Sequence, residues 1–129
     1  MLFSFKSAFL LGLAAVSVAS PAPTANLVAR AKIPDPLHCD GDTWTKQQIY
    51  NSIQQARNYE TSGYKYPMEF KDHEGLFDAS GTLWEFPLTD PVWQNGVIPG
   101  TFRVIVKDDY TYVGVTHKEP GTGGSVHKC

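Results

Sequence analysis

Three polar residues each stand alone in an apolar run toward the end of the chain: Glu85 in LWEFP, Arg103 in TFRVIV and His117 in YVGVTH. Each run alternates like a half-buried strand, so the three side chains can point to the same face of one sheet. A carboxylate can act as a base, a guanidinium can hold an anion and an imidazolium can act as an acid. Together these groups suit metal-free cleavage of a phosphodiester.

Each of these residues also has an ordinary explanation. A lone glutamate in a strand usually points to solvent, an arginine usually forms a surface ion pair, and a histidine is often a hydrogen-bonded polar residue without a catalytic role. The combination favours a site, because similar flanking patterns place all three residues on neighbouring strands.

The surrounding pattern predicts an α+β domain, with one helix packed on an antiparallel sheet. A capping box at Thr45 and Gln48 opens the helix, which ends near Tyr59. Strands are predicted at 64–67, 75–77, 83–88, 102–106 and 112–116, and loops rich in proline or glycine at 89–100 and 118–125.

The N-terminal part of the chain is predicted to be removed from the folded domain. Residues 1–19 read as a secretory signal peptide, with Lys6 before an apolar stretch of small residues and leucines and a small-x-small site ending at Ala19. Residues 20–32 are predicted to be a pro-segment or a disordered linker, and residues 33–129 one small domain. The expected location is extracellular, without a membrane anchor.

The composition of the predicted domain limits its partners. From Ile33 onward it carries eight Lys and Arg against thirteen Asp and Glu, so it is acidic. An acidic surface gains little non-specific affinity from a phosphate backbone. Nucleic acid must therefore bind in a local site, and a broad basic face for DNA is excluded.

Cys39 and Cys129 lie at the two ends of the predicted domain. An isolated cysteine pair in an exported protein favours a disulfide. Closing a loop of about ninety residues would stabilise the fold by roughly 4–5 kcal/mol in the chain-entropy model. Two free thiols are the alternative.

From Cys39 to Cys129 the chain resembles the fungal guanyl-specific ribonucleases, which are relatives of the barnase-type enzymes and of the ribotoxins. The order and spacing of several short motifs over the whole predicted domain carry this resemblance. The motifs are CDGDTWTKQQIYNSIQQARNY, YP at Tyr66, EG at Glu74, EFP at Glu85, RV at Arg103 and VGVTH ending at His117. The resemblance implies the microbial ribonuclease fold.

The resemblance also implies a role for each site residue. Glu85 would take the proton of the ribose 2′-hydroxyl, and His117 would give a proton to the departing 5′-oxygen. Arg103 and the hydroxyl of Tyr66 would bind the phosphate. The reaction would be transesterification of single-stranded RNA to a 2′,3′-cyclic phosphate by a monomer, with no metal or cofactor and no membrane partner.

The segment after Tyr66 corresponds to the part of the family that binds guanine. Phe70 could stack on a base, which is worth about 1–3 kcal/mol, although core packing explains this residue equally well. Glu74 would accept from the guanine ring, and Val126 aligns with an aromatic residue that packs against the phosphate. The other predicted substrate-binding residues are Lys71, Asp72 and His73.

Three departures from the family leave alternatives open: Met68, Val126 and the altered base-binding segment with Lys71, Asp72 and His73. Met68 stands where fungal members carry a histidine, and it can neither take nor give a proton. One residue is also inserted between His117 and Cys129. The first hypothesis is an active, guanosine-preferring endoribonuclease with reduced turnover. The second is a secreted ribonuclease-like effector that binds host RNA or protein with little or no activity. A ribotoxin fits poorly, because this domain is acidic and its loops are short.

Overall fold

The computed structural model describes residues 32–118 and 125–129. The predicted signal peptide and nearly all of the predicted pro-segment lie outside these residues. None of the helices in the described ranges has both the length and the apolar character needed to cross a bilayer.

Helix α1, Lys46–Asn58, begins where the capping box predicts. The Thr45 hydroxyl accepts from the backbone N–H of Gln48 at 3.1 Å, and the Gln48 side chain accepts from the backbone N–H of Thr45 at 2.8 Å. These two bonds satisfy N–H groups that have no partner within the helix. One face of the helix is buried, and it carries Ile49, Ser52, Ile53 and Ala56.

Two antiparallel sheets make up the rest of the described fold. The smaller is a hairpin of β1 (Leu37–Cys39) and β2 (Asp42–Trp44). The larger has five strands, each paired with the next along the chain. They are β3 (Met68–Phe70), β4 (Leu83–Pro87), β5 (Phe102–Lys107), β6 (Tyr112–Lys118) and β7 (Val126–Lys128). The predicted α+β class is confirmed.

The two faces of the large sheet have different surroundings. Helix α1 packs against β4 and β5, and the core between them contains Phe86, Val104 and Val106. Because successive residues of a strand point to opposite faces, Glu85 and Arg103 lie on the face turned away from the helix. We call this second face the outer face.

Disulfide Cys39–Cys129 is formed, with its Cα atoms 5.3 Å apart, as predicted. It joins β1 to the residue that follows β7. The amide of Cys129 also donates to the carbonyl of Val115 at 2.9 Å. The end of the chain is therefore attached to both sheets.

Two predicted strands are placed differently in the structure. The first is found at Met68–Phe70 and not at 64–67, because Pro67 has no N–H to donate to a strand ladder. Residues 75–77 form no strand, because the Asp72 carboxylate accepts their amides: Leu76 N–H at 2.6 Å and Phe77 N–H at 2.9 Å. The hairpin β1–β2 and strand β7 were not predicted.

Gly114 on β6 makes room for the loop that covers the outer face. A Cβ atom on this residue would clash with Cε1 of Phe77. We expect Gly114→Ala to lower the free energy of unfolding by about 1–3 kcal/mol, because the Phe77 ring must be displaced. Urea denaturation would measure this change in the free energy of unfolding. In a Phe77→Leu background the same change should cost less, and an equal cost in both backgrounds would contradict this explanation.

Candidate active site

Strands β4 and β5 bring Glu85 and Arg103 together on the outer face. Glu85 is the Cα partner of Ile105, and Arg103 is the partner of Pro87, so both side chains leave the same side of the sheet. Oε1 of Glu85 lies 3.5 Å from Nε of Arg103, and about four-fifths of each side chain is buried. The predicted association of these two residues is therefore present.

Backbone carbonyls and one hydroxyl hold the Arg103 guanidinium in place. Its Nη1 donates to the carbonyls of Gly100 and Phe102, each at 2.9 Å. Its Nη2 donates to the hydroxyl of Tyr66 at 3.0 Å, and the guanidinium carbon lies 5.1 Å from the centre of the Tyr66 ring. Because the Tyr66 oxygen acts here as an acceptor, its own proton remains available to a phosphate oxygen.

Burial raises the pKa of Glu85 above its ordinary value of 4.5. Desolvation is the larger effect, since it disfavours the charged carboxylate, and the positive charges of Arg103, Lys65 and Lys118 oppose it in that order. A carboxylate with a raised pKa is a stronger base than an exposed glutamate.

A groove on the outer face connects these groups. It combines polar side chains that can contact a phosphodiester with two apolar side chains from β3 and β7. Its lining is Tyr66, Phe70, Glu85, Thr101, Arg103, Thr116, Lys118 and Val126.

The prediction that Glu85, Arg103 and His117 share one face is wrong for His117. Its Cα partner is Phe102, the residue before Arg103, so His117 leaves the opposite side of the sheet. The His117 ring stacks on the Phe102 ring, with centroids 4.1 Å apart and planes 9° apart. Lys118, one residue further along β6, occupies the outer face in its place.

Both ring nitrogens of His117 already have hydrogen-bond partners. Nδ1 lies 2.5 Å from Oδ2 of Asp40, and Nε2 lies 3.1 Å from the hydroxyl oxygen of Thr101. The same Asp40 oxygen lies 2.5 Å from Nε2 of His127. The pKa of Asp40 is lowered from its ordinary value, and hydrogen bonding to His117 is the largest cause.

The predicted base-binding residues surround a second pocket that adjoins the groove. Its lining consists of all five predicted loop residues with two apolar neighbours: Phe70, Lys71, Asp72, His73, Glu74, Leu76 and Val126. Phe70 and Val126 line both the pocket and the groove. A nucleotide can therefore lie across the two, with its base in the pocket and its phosphate in the groove.

The loop residues have different contacts within this pocket. Asp72 accepts two backbone amides, so its carboxylate organises the loop. The Glu74 side chain is exposed to solvent. The Phe70 ring packs edge to face on the Phe77 ring at 6.1 Å and still lines the pocket. Phe70 therefore packs within the fold and is also open to the pocket, and its stacking on a base stays a prediction.

Met68 is the Cα partner of Glu85 and lies beside it on the outer face. The position of the customary histidine is therefore next to Glu85, the predicted base. A thioether there offers no proton to the carboxylate.

Sequence reasoning missed Lys118, Asp40 and His127. Lys118 was assigned to a loop, and only the strand register shows that it follows Thr116 on the outer face. Asp40 and His127 approach His117 from chain positions far apart. Their one signal in the sequence is that each lies close to a cysteine of the disulfide.

Comparisons with known proteins agree with this architecture. A family profile described as ribonuclease matches residues 33–129. Guanyl-specific ribonuclease U1 of Ustilago sphaerogena is 28% identical over 99 residues, which span 72% of this chain and 93% of that protein. The solved structure of ribonuclease He1 from Hericium erinaceus superposes with a TM-score of 0.56 at 27% identity, covering 73% of this chain and 97% of that one. The chain belongs to the ribonuclease family.

Proposed function

We propose that this ribonuclease is a secreted endonuclease that cleaves single-stranded RNA after guanosine by metal-independent transesterification. The observation that carries the proposal is the Glu85–Arg103 pair beside Tyr66 in one groove. A raised-pKa carboxylate next to a fixed guanidinium supplies a base for the 2′-hydroxyl and a positive charge for the phosphate.

In the first step Glu85 takes the proton from the 2′-hydroxyl as that oxygen attacks the adjacent phosphorus. The bond from phosphorus to the 5′-oxygen breaks, and a 2′,3′-cyclic phosphate remains on the upstream nucleoside. Arg103 and the Tyr66 hydroxyl hold the phosphoryl oxygens, where negative charge accumulates in the transition state. Water then opens the cyclic phosphate by the reverse of the same proton transfers.

The departing 5′-oxygen needs a proton, and we assign its delivery to Lys118. The resemblance gives this role to His117, but the His117 ring lies on the other face with both nitrogens hydrogen-bonded. Lys118 lines the groove, and its charge acts on Glu85. An ammonium group can donate a proton to an alkoxide as it leaves.

The pocket beside the groove supports a preference for guanosine. Phe70 offers a ring on which a base can stack, and Glu74 offers a carboxylate that can accept two N–H bonds from one edge of guanine. Uracil and cytosine stack less strongly, and adenine lacks the paired donors on that edge.

The test uses the purified, disulfide-bonded protein with four dinucleotides that differ in the first base, in buffer containing EDTA. We expect the 2′,3′-cyclic phosphate of guanosine to form at least about tenfold faster than the other three, which corresponds to about 1.4 kcal/mol. No product above that of a Glu85→Gln variant would refute the cleavage reaction. Equal rates for the four bases would refute only the preference.

The same assay evaluates the second candidate, a ribonuclease-like effector that binds RNA or protein without cleaving it. Two observations favour this candidate: Met68 lies beside Glu85, and His117 is turned away from the groove. RNA binding without cyclic phosphate would support it.

A further inference from the structure

Three potential metal-binding side chains converge on the helix-side face of the sheet, away from the groove. Oδ2 of Asp40 lies 2.5 Å from Nδ1 of His117 and 2.5 Å from Nε2 of His127. These atoms and Sγ of Cys39 all lie within 4.8 Å of one another. The Cys39 sulfur is bonded to Cys129, so it is not a thiolate, and the donors that remain are two imidazoles and one carboxylate.

We propose that Asp40, His117 and His127 form a binding site for a divalent transition-metal ion of the zinc type. Two imidazole nitrogens and one carboxylate oxygen are ligands that such ions accept, with water completing the coordination. The proposed site uses a buried histidine that the proposed RNA chemistry does not need. None of its three ligands lines the groove or takes part in the proposed cleavage reaction.

The distances require only a small movement to admit an ion. Bonds of about 2.0–2.2 Å to zinc place tetrahedral ligand atoms about 3.3 Å apart, so the Asp40 oxygen must withdraw by about 0.8 Å from each imidazole. The Asp40 side chain is 31% exposed and the His127 side chain 42% exposed, so both can adjust. Their exposure also opens the proposed site to solvent, from which the ion and its water would enter.

His117, the least exposed of the three proposed ligands, is already oriented for a metal. The His117 side chain is only 9% exposed, and its ring is stacked on Phe102. The Thr101 hydroxyl, 3.1 Å away, can accept the Nε2 proton, which leaves the Nδ1 lone pair for the metal. A second hydrogen bond of this kind is usual for histidines that bind metals.

The backbone holds the other two ligands against His117. His127 is its Cα partner across the pair β6–β7. Asp40 follows Cys39 directly, and that cysteine is bridged to Cys129, two residues after His127. Because these segments are already joined, a metal ion can bind without the entropy loss of bringing three separate chain segments together.

The test titrates the metal-free protein with zinc chloride by isothermal calorimetry and by thermal unfolding. We expect one equivalent to bind and the melting temperature to rise with zinc concentration. His127→Gln should weaken binding by at least about tenfold, since loss of even an indirect partner of a metal ligand costs about 10–100-fold. His38→Gln is the matched control, because His38 lies on β1, is exposed, hydrogen-bonds to Thr43 and does not belong to the ligand cluster.

The unmodified protein gives a second measurement that needs no variant. Addition of paramagnetic cobalt should shift the ring proton signals of His117 and His127 far more than those of His38 and His73, because only bound ligands receive unpaired spin through bonds. Equal zinc affinity in His127→Gln and His38→Gln would overturn the proposal. So would the absence of binding up to millimolar zinc, which would leave these residues as a hydrogen-bonded cluster only.

Discussion

Glu85→Gln is expected to lower kcat for RNA cleavage by about 10²–10⁴-fold, the usual contribution of a general base. Glutamine keeps the size of the side chain and can still accept from Arg103, but it cannot take a proton. Glu60→Gln is a suitable control, because that carboxylate lies at the end of the helix and bonds to Tyr110. Both variants should retain the fold, which circular dichroism would verify. Similar rates for the two variants would contradict the assignment of Glu85.

The wild-type pH profile gives an independent check on Glu85. The reaction needs the carboxylate, so the rate should fall as the pH is lowered through the pKa of this group. Because burial raises that pKa, the fall should begin at a higher pH than for an ordinary glutamate at 4.5. Over the same range the folded state binds the proton more tightly than the unfolded state, so the contribution of Glu85 to stability increases as the pH falls. Activity and this contribution should therefore change in opposite directions.

Lys118→Gln is expected to lower kcat by about 10²-fold or more, because the leaving oxygen loses its proton donor and the groove loses a positive charge. His117→Gln should have a much smaller effect on kcat, since its ring lies on the other face. Single-turnover cleavage of one dinucleotide would compare them.

Lys107→Gln controls for the loss of one positive charge, because Lys107 lies at the opposite end of β5 from Arg103. It should leave kcat within a few-fold of wild type. A larger loss in His117→Gln than in Lys118→Gln would return the role of proton donor to His117. Lys118→Arg should retain part of the activity if the positive charge itself contributes.

The sequence predicted the elements of the fold better than the orientation of their side chains. The capping box located α1, and apolar alternation located β4, β5 and β6. The register in which neighbouring strands pair could not be predicted from apolar alternation. A shift between Ile105 and Val106 in the β5–β6 ladder alters the pairing by one residue, and one residue decides which face His117 occupies.

The remaining differences have a similar cause, because they depend on contacts between distant parts of the chain. The strand predicted at 75–77 does not form, because the amides of Leu76 and Phe77 donate to Asp72 in the same loop. Strand β7 has only three residues, and it is held in place by pairing with β6 and by the disulfide at Cys129. Neither feature has a periodic pattern, so propensity and alternation did not predict them.

The contact between Gly114 and Phe77 has a consequence for attempts to redesign the proposed base-binding loop. Phe77 follows the loop that carries Phe70 to Glu74, and its ring packs so close to Gly114 of β6 that a side chain there would displace it. A recognition loop transplanted from a relative would need its own anchor to match the residue at position 114. Libraries that replace Phe77 should therefore vary position 114 with it, whereas libraries confined to Phe70 to Glu74 leave this contact intact.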